Sequence, residues 1–207
     1  MIYYFQKRRI RKTLRRLFPF CADDSVSAVA ARLTYRKQTP FEAFYAGCED
    51  EDWLLFDRQV RIPYRTSLIG KGDEGLSEDE KVLYYGILSR SFDGYERENA
   101  VRELLKRQDR DLARLYLMKS AEDYVASILK TLYDGIRKDD KRYRLLASQN
   151  FDQIARGHTR MISYWNEYYR TDCYRYRDWI GKRLYSEAFG YRKTGQKQIV
   201  IDSDRKG

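Results

Sequence analysis

The sequence predicts an all-α protein, arranged as a short α-solenoid or stack of helical hairpins. Only 3 of its 207 residues are proline, so few positions would interrupt a helix. Apolar residues recur with helical spacing, and several segments begin with residues that cap helices. An irregular helical bundle is the alternative architecture, and in either case we expect negligible β-sheet.

The N-terminal segment is predicted to be a helix with one apolar side. Residues 2–18 contain no proline, and Pro19 then ends the helix. Lys and Arg cover the positions outside the apolar stripe, as in a surface helix that packs on a core. The residues of the predicted stripe are Tyr3, Ile10, Leu14, Leu17 and Phe18.

The next segments carry helix start signals. The acidic pair at 23–24 can cap a second helix, and residues 39–42 (Thr-Pro-Phe-Glu) have the pattern of a capping box. Gly47 is predicted to end that short helix. The acidic run at 49–52 precedes four apolar residues and therefore predicts another helix N-terminus. Residues 61–75, with three glycines and one proline, are predicted to be the main loop.

The second half of the chain has the stronger helical pattern. Start signals occur at 77–80, 93–96, 109 and 120–123. The last two helices are predicted over about 151–170 and 172–189, with Gly190 as the stop, followed by a polar tail over 190–207. We therefore expect one helical domain over 1–189. The predicted core residues are Val82, Leu83, Ala100, Val101, Leu104, Leu115, Val125, Ile128, Leu129, Leu132, Ile154, Ile162, Trp165 and Ile180.

Two of the predicted helices share an apolar pattern at an offset of 28 residues. The shift places Ala100 on Ile128 and Leu104 on Leu132, with one short helix between them, which is the layout of stacked helical hairpins. Residues 93–105 (DGYERENAVRELL) resemble the first helix of HEAT-like repeats, with an aspartate near the cap followed by R-x-x-A-V-x-x-L. The resemblance covers about residues 77–137 and implies a repeat surface that binds extended partners.

Charge is concentrated at the two ends of the chain, whose net charge is +10. Residues 1–17 carry seven Lys or Arg and no acid, and residues 138–207 carry sixteen bases and nine acids. Basic ends attract nucleic acid, acidic lipid or acidic protein surfaces. The candidate basic surface at the N-terminus comprises Lys7, Arg8, Arg9, Arg11, Lys12, Arg15 and Arg16. It can lie on a membrane surface through its apolar stripe, or form the first helix of the stack, which we favour.

The C-terminal region interleaves Arg with aromatic residues over about 22 positions, 164–185. Aromatic rings can stack on bases while guanidinium groups neutralise phosphates, so this region is predicted to be the better candidate for nucleic acid. Packing of the aromatic rings between helices is the alternative. The candidate contacts to nucleic acid or another anionic partner are Arg170, Tyr174, Arg175, Tyr176, Arg177, Lys182 and Arg183.

The sequence contains no set of nucleophile, base and acid. The single histidine, His158, lies on the apolar stripe of its predicted helix and is expected to be a hydrogen-bonded core residue. No cofactor or metal site is predicted, since one His and three scattered Cys lack metal-ligand spacing. No apolar run approaches the length of a membrane span, and unpaired thiols favour a reducing compartment, so we expect a cytoplasmic protein.

These features favour a non-enzymatic interaction or scaffold module, with a protein partner first and nucleic acid as the alternative. A third reading comes from the HEAT-like resemblance, because some alkylpurine DNA glycosylases are built from HEAT-like repeats and use Trp and Asp at a concave DNA face. Asp178 with Trp179, or Asp52 with Trp53, would be the corresponding pairs here.

Overall fold

The computed structural model describes residues 2–45, 50–138 and 140–191. Helices dominate this part of the chain, as the sequence predicts. They are α1 (Ile2–Leu17), α2 (Asp23–Ala31), α3 (Pro40–Tyr45), α4 (Glu78–Leu88), α5 (Gly94–Leu105), α6 (Asp111–Ser120), α7 (Ala126–Gly135), α8 (Lys141–Gln149), α9 (Phe151–Tyr164) and α10 (Ile180–Glu187). A π-helical turn (Trp165–Tyr169) continues α9, and a 3₁₀ turn (Tyr176–Asp178) precedes α10.

The expectation of negligible β-sheet is wrong, because four short strands form two antiparallel pairs. They are β1 (Leu33–Tyr35), β2 (Glu51–Leu55), β3 (Arg58–Ile62) and β4 (Leu68–Gly70), with β1 paired to β4 and β2 to β3. The run predicted to open a helix at 49–52 instead enters β2. Trp53 points inward and is 1% exposed, whereas Leu54 is 44% exposed, which is the alternation of a half-buried strand. A four-residue apolar run does not distinguish helix from strand by periodicity, and the pairing with β3 decides it.

Local start signals give the correct starts of α4 and α5. Ser77 and Glu80 form the predicted capping box at α4, and the side chain of Asp93 accepts from the backbone at the start of α5. The predicted start at 120–123 is wrong. Ser120 is the last residue of α6, and the Asp123 carboxylate instead binds the Arg97 guanidinium, 2.8 Å from its Nε.

The C-terminal part differs most from the prediction. The helix predicted over 172–189 begins only at Ile180, and residues 172–179 form turns. These turns are held by side chains, since Trp165 Nε1 donates to the Cys173 carbonyl at 2.8 Å. The helix α8 begins after the acidic pair at 139–140, where the sequence indicates a helix cap; Asp140 caps it and accepts from the Arg142 amide at 2.9 Å.

Buried residues from most of these elements form one core. Of the predicted core residues, Val125, Ile162 and Ile180 are only partly buried, and the others are buried. Helices α4, α5, α6 and α7 pack on one another in sequence, and α5 also packs directly on α7. Whether this packing reflects a HEAT-like repeat stays a prediction.

Side chains also connect parts of the chain that are distant in sequence. The Asn150 amide caps both backbone groups of Leu54, in β2, at 2.6 and 2.8 Å. Gly190 adopts a φ of 68° beyond α10, and Tyr191 then packs against the His158 ring at 5.0 Å between ring centroids. Gly47 and most of the predicted tail, including 199–201, lie outside the described residues.

Candidate functional site

A groove between α1 and α2 brings together five of the seven basic residues predicted as an N-terminal surface. The groove has a volume of about 670 Å³. Its floor on α2 consists of the small residues Ser27, Ala30 and Ala31, which leave room above them. Its cationic wall consists of Lys7, Arg8, Arg11, Lys12 and Arg15. We call this feature the basic groove.

The spacing along α1 explains why these cations share one side. Lys7, Arg11 and Arg15 are separated by four residues each, as are Arg8 and Lys12, so they form two adjacent rows along the helix. The row from Lys7 to Arg15 extends over about 12 Å at 1.5 Å per residue. The groove therefore presents an elongated cationic surface to its ligand.

Acidic residues neutralise the basic groove only in part. Asp23 at the start of α2 lies 2.5 Å from Arg15 Nη2 and 3.9 Å from Arg11 Nη2. The Nε of Arg11 is buried and, among the described residues, has no hydrogen-bond partner.

The other two predicted basic residues of α1 lie elsewhere. The Arg9 guanidinium is 5.1 Å from the Tyr35 ring centroid, and Arg16 Nη2 is 2.8 Å from Asp50. Four residues of the apolar stripe of α1, Ile10, Leu14, Leu17 and Phe18, are buried in the core, each 1% exposed. These four are therefore in contact with protein and are not free to insert into lipid.

The structure separates the residues of the predicted C-terminal contact region. Arg170, Tyr174, Arg175 and Arg177 are exposed, with Tyr174 77% exposed. Acidic residues alternate with these bases, so that residues 166–178 contain three Arg, two Asp and one Glu. This segment therefore has exposed cations but no net charge.

Other members of the predicted region have structural roles. The Tyr176 hydroxyl lies 2.9 Å from His158 Nε2, and its ring centroid is 5.1 Å from that of Trp165. His158 is 2% exposed, which confirms its predicted place in the core. Lys182 is half-buried, and Arg183 on α10 donates to Glu187 at 2.9 Å.

A cluster of charged side chains in the interior was not predicted from the sequence. We call it the buried ion cluster. Its first half surrounds Asp123. The Asp123 carboxylate accepts hydrogen bonds from Nε and Nη2 of Arg97 at 2.8 and 3.2 Å, and from Nη2 of Arg65 at 3.1 Å. The side chains of Asp123 and Arg97 are 1% and 2% exposed. The complete cluster comprises Glu51, Arg65, Arg90, Arg97, Lys119, Glu122, Asp123 and Arg160.

The second half of the buried ion cluster surrounds Glu122. Its carboxylate pairs with Lys119 and Arg160, and Arg90 Nη2 lies 3.8 Å from Oε1. Lys119 and Arg160 also bind Glu51, each at 2.8 Å, which ties β2 to α6 and α9. The cluster therefore joins elements from residue 51 to residue 160.

The cluster perturbs the acidity of its members. Burial raises the pKa of the Glu51 carboxyl, but the adjacent Lys119 and Arg160 outweigh burial and hold it at about 2. Burial likewise opposes ionisation of Glu122 and Asp123, and neighbouring cations nevertheless lower the pKa of both. Each carboxylate therefore stays ionised at neutral pH, which is the state that its Arg and Lys partners require.

Tyr124 forms a surface patch beside this cluster with Tyr164 and Tyr168, two members of the predicted aromatic region. The ring centroids of Tyr124, Tyr164 and Tyr168 lie 5.8 to 6.5 Å apart. Tyr124 and Tyr168 are 43% and 56% exposed, and the Arg97 guanidinium lies 5.5 Å from the Tyr124 ring. We call these three residues the tyrosine patch. Tyr124 comes from the loop before α7, so sequence proximity to the C-terminal aromatics could not reveal it.

The two Trp residues proposed for glycosylase chemistry do not lie at an open surface. Trp53 and Trp179 are 1% and 8% exposed, and the Trp179 ring stacks on Tyr169 at 4.6 Å. Asp52 lies 3.0 Å from Arg61 Nε. Within the described ranges, no three His, Cys, Asp or Glu residues are grouped as metal ligands, and no helix is long and apolar enough to cross a membrane.

Comparison with known proteins adds no relative on which to base a function, because no protein family, curated protein or solved structure matches this chain.

Proposed function

We propose that this protein is a non-enzymatic binding module whose partner is nucleic acid, held in the basic groove between α1 and α2. The observation that carries the proposal is the convergence of five cations on one groove with small residues at its floor. Small floor residues allow a sugar-phosphate backbone to approach, while long Lys and Arg side chains reach its phosphates from the wall.

The charge balance favours this groove over the C-terminal region. Residues 1–17 have seven bases and no acid, whereas residues 166–178 have equal numbers of both. Neutralising phosphates and releasing their counterions requires an excess of cations over acids, and sequence-independent affinity depends mainly on this effect. Tyr176 and Trp165 contact each other in the interior, so they contribute packing rather than base stacking.

The experiment is fluorescence anisotropy with a labelled oligonucleotide at several salt concentrations. Wild-type affinity should fall steeply with salt, and Arg8→Ala with Lys12→Ala should reduce the magnitude of the salt slope by up to about two units. Both side chains are exposed, so this double variant should fold normally. The matched control, Arg175→Ala with Arg177→Ala, removes the same charge from the C-terminal region.

Two outcomes of this experiment would contradict the proposal. If the control variant loses the slope and the groove variant keeps it, the C-terminal prediction is correct and the groove proposal is wrong. If the wild-type protein does not bind at low salt, where electrostatic attraction is strongest, nucleic acid is not the partner.

A protein partner at the tyrosine patch is the second candidate. Half-exposed Tyr rings backed by Arg are typical of interaction hot spots, and the balanced charges of residues 166–178 match a protein surface better than a polyanion. A partner recovered from native lysate after nuclease treatment should be lost with Tyr124→Ala and Tyr168→Ala, and retained with Arg8→Ala and Lys12→Ala. The opposite result would assign that partner to the basic groove.

On architecture, we propose that α4 to α7 are stacked hairpins of the HEAT-like type. The contact of α5 with α7 across the intervening α6, and the buried residues repeated at the 28-residue offset, support this arrangement.

A further inference from the structure

The buried ion cluster carries more positive than negative charge. Among the described residues it contains four Arg and one Lys but only two Glu and one Asp, a formal excess of +2. Backbone carbonyls accept some of the guanidinium protons: Arg90 donates to Pro63 and Tyr64, and Arg97 donates to Ser91 and Phe92. Carbonyls satisfy hydrogen bonds but do not neutralise charge, and an uncompensated charge in the interior is destabilising.

Two buried donors lie beside this excess charge without a protein partner in the described part of the chain. They are Nη1 of Arg90 and the hydroxyl of Tyr116. Both residues are among the most deeply buried, at 1% and 0% exposed. Buried donors normally have an acceptor, so these two point to a partner beyond the described side chains.

The charge of Arg90 acts on the Tyr116 hydroxyl, where it opposes the rise in the pKa of that hydroxyl that burial causes. The Tyr116 ring packs directly on Gly86 in α4, so closely that a Cβ at Gly86 would lie 2.9 Å from the ring. Arg90 follows Gly86 by four residues, in the turn that comes after the end of α4 at Leu88. One turn beyond Tyr116 on α6, Lys119 adds a third positive or hydrogen-donating group, and it is 0% exposed.

We propose that Arg90 Nη1 and the Tyr116 hydroxyl bind one small monovalent inorganic anion of the chloride class. Its single negative charge halves the formal excess of the cluster, and it accepts from both donors. Both atoms are screened from solvent, so an anion of one or a few atoms fits the location better than an organic one. A water molecule at the same place would accept the same hydrogen bonds but leave the charge unchanged, and the melting temperature would then not depend on chloride.

The test compares thermal unfolding in sodium chloride and sodium gluconate at one ionic strength. Binding to the folded state makes the melting temperature rise with the chloride fraction, because the anion shifts the folding equilibrium by mass action. Tyr116→Phe removes one donor and no charge, so it should raise the half-saturating chloride concentration severalfold. Lys130→Ala is the control, because it removes an exposed cation on α7 that belongs neither to the basic groove nor to the buried ion cluster, and it should leave the chloride dependence unchanged.

A crystal soaked in bromide provides the independent readout. The proposal expects an anomalous peak within hydrogen-bond distance of Arg90 Nη1 and Tyr116 Oη. The proposal is overturned if chloride and gluconate give the same melting temperature. It is also overturned if Tyr116→Phe responds to chloride as the wild type does, or if bromide occupies surface positions only, as an adventitious ion.

Discussion

Asp123 is the carboxylate whose removal should affect the fold most. It is 2% exposed and accepts three charged hydrogen bonds, two from Arg97 and one from Arg65. It also accepts from the Val125 amide at 3.1 Å, which orders the start of α7. Asp123→Asn keeps the shape but replaces one acceptor oxygen with an amide donor that faces guanidinium donors. Breaking a buried pair in this way should lower the free energy of unfolding by about 3–5 kcal/mol.

Urea denaturation of the wild type and of Asp123→Asn measures this loss directly. Asp134→Asn is the matched control, because Asp134 pairs with Lys130 at 3.1 Å on the surface and both side chains are more than half exposed. That exposed pair should contribute less than about 0.5 kcal/mol. A loss below about 1 kcal/mol for Asp123→Asn, or equal losses for the two variants, would refute the reasoning.

A double-mutant cycle tests whether the loss comes from unpaired charge. With Asp123 neutral, Arg65 and Arg97 repel each other across a dry site. Arg65→Met should therefore lower the free energy of unfolding less in the Asp123→Asn variant than it does in the wild type. The difference between the two losses, the coupling energy, should exceed about 1 kcal/mol. An additive result would mean that Asp123 stabilises the fold by packing alone.

Three further predictions concern packing and pH. Gly86→Ala should lower the free energy of unfolding by about 1–3 kcal/mol, because the added Cβ overpacks against Tyr116. Gly94→Ala, whose Cβ would have no neighbour closer than 4.0 Å, should leave that free energy unchanged or raise it in the same urea assay. Leu129→Ala should cost about 2–5 kcal/mol because Leu129 is 1% exposed, and a loss below about 0.5 kcal/mol would contradict its placement. The folded pKa of Glu51, about 2, lies below its ordinary value of 4.5, so the unfolded chain binds the proton first as pH falls. The free energy of unfolding should accordingly decrease between about pH 5 and pH 2, and a constant urea midpoint over that range would contradict the ion pairs.

The sequence predicts those features that depend on local signals. The stripe from Ile10 to Phe18, the capping box at 77–80 and the cap at Asp93 each act within one or two helical turns, and each forms as expected. The strand β2 could not be recognised in the same way. Its apolar run is short, and its conformation is fixed by pairing with β3 and by contacts to Asn150, about 96 residues away in the chain.

The candidate sites differ in the same way: residues that share one helix could be predicted, and residues that meet only in the folded chain could not. The cations of the basic groove were predicted because they share one helix, although the groove itself requires the floor supplied by α2. The buried ion cluster could not be predicted, since its residues come from positions between 51 and 160 and converge only in the folded chain. In the C-terminal region the density of Arg and Tyr was visible, but the packing of Tyr176 on His158 was not.

The central claim, that the basic groove holds nucleic acid, is tested most directly by lysine acetylation with and without an oligonucleotide. Each lysine is quantified by mass spectrometry at a salt concentration where the complex is saturated. The account predicts that Lys7 and Lys12 in the basic groove are protected, while Lys130 on α7 and Lys182 on α10 react at the same rate in both samples. Protection of Lys182 with unchanged reactivity at Lys7 and Lys12 would contradict it.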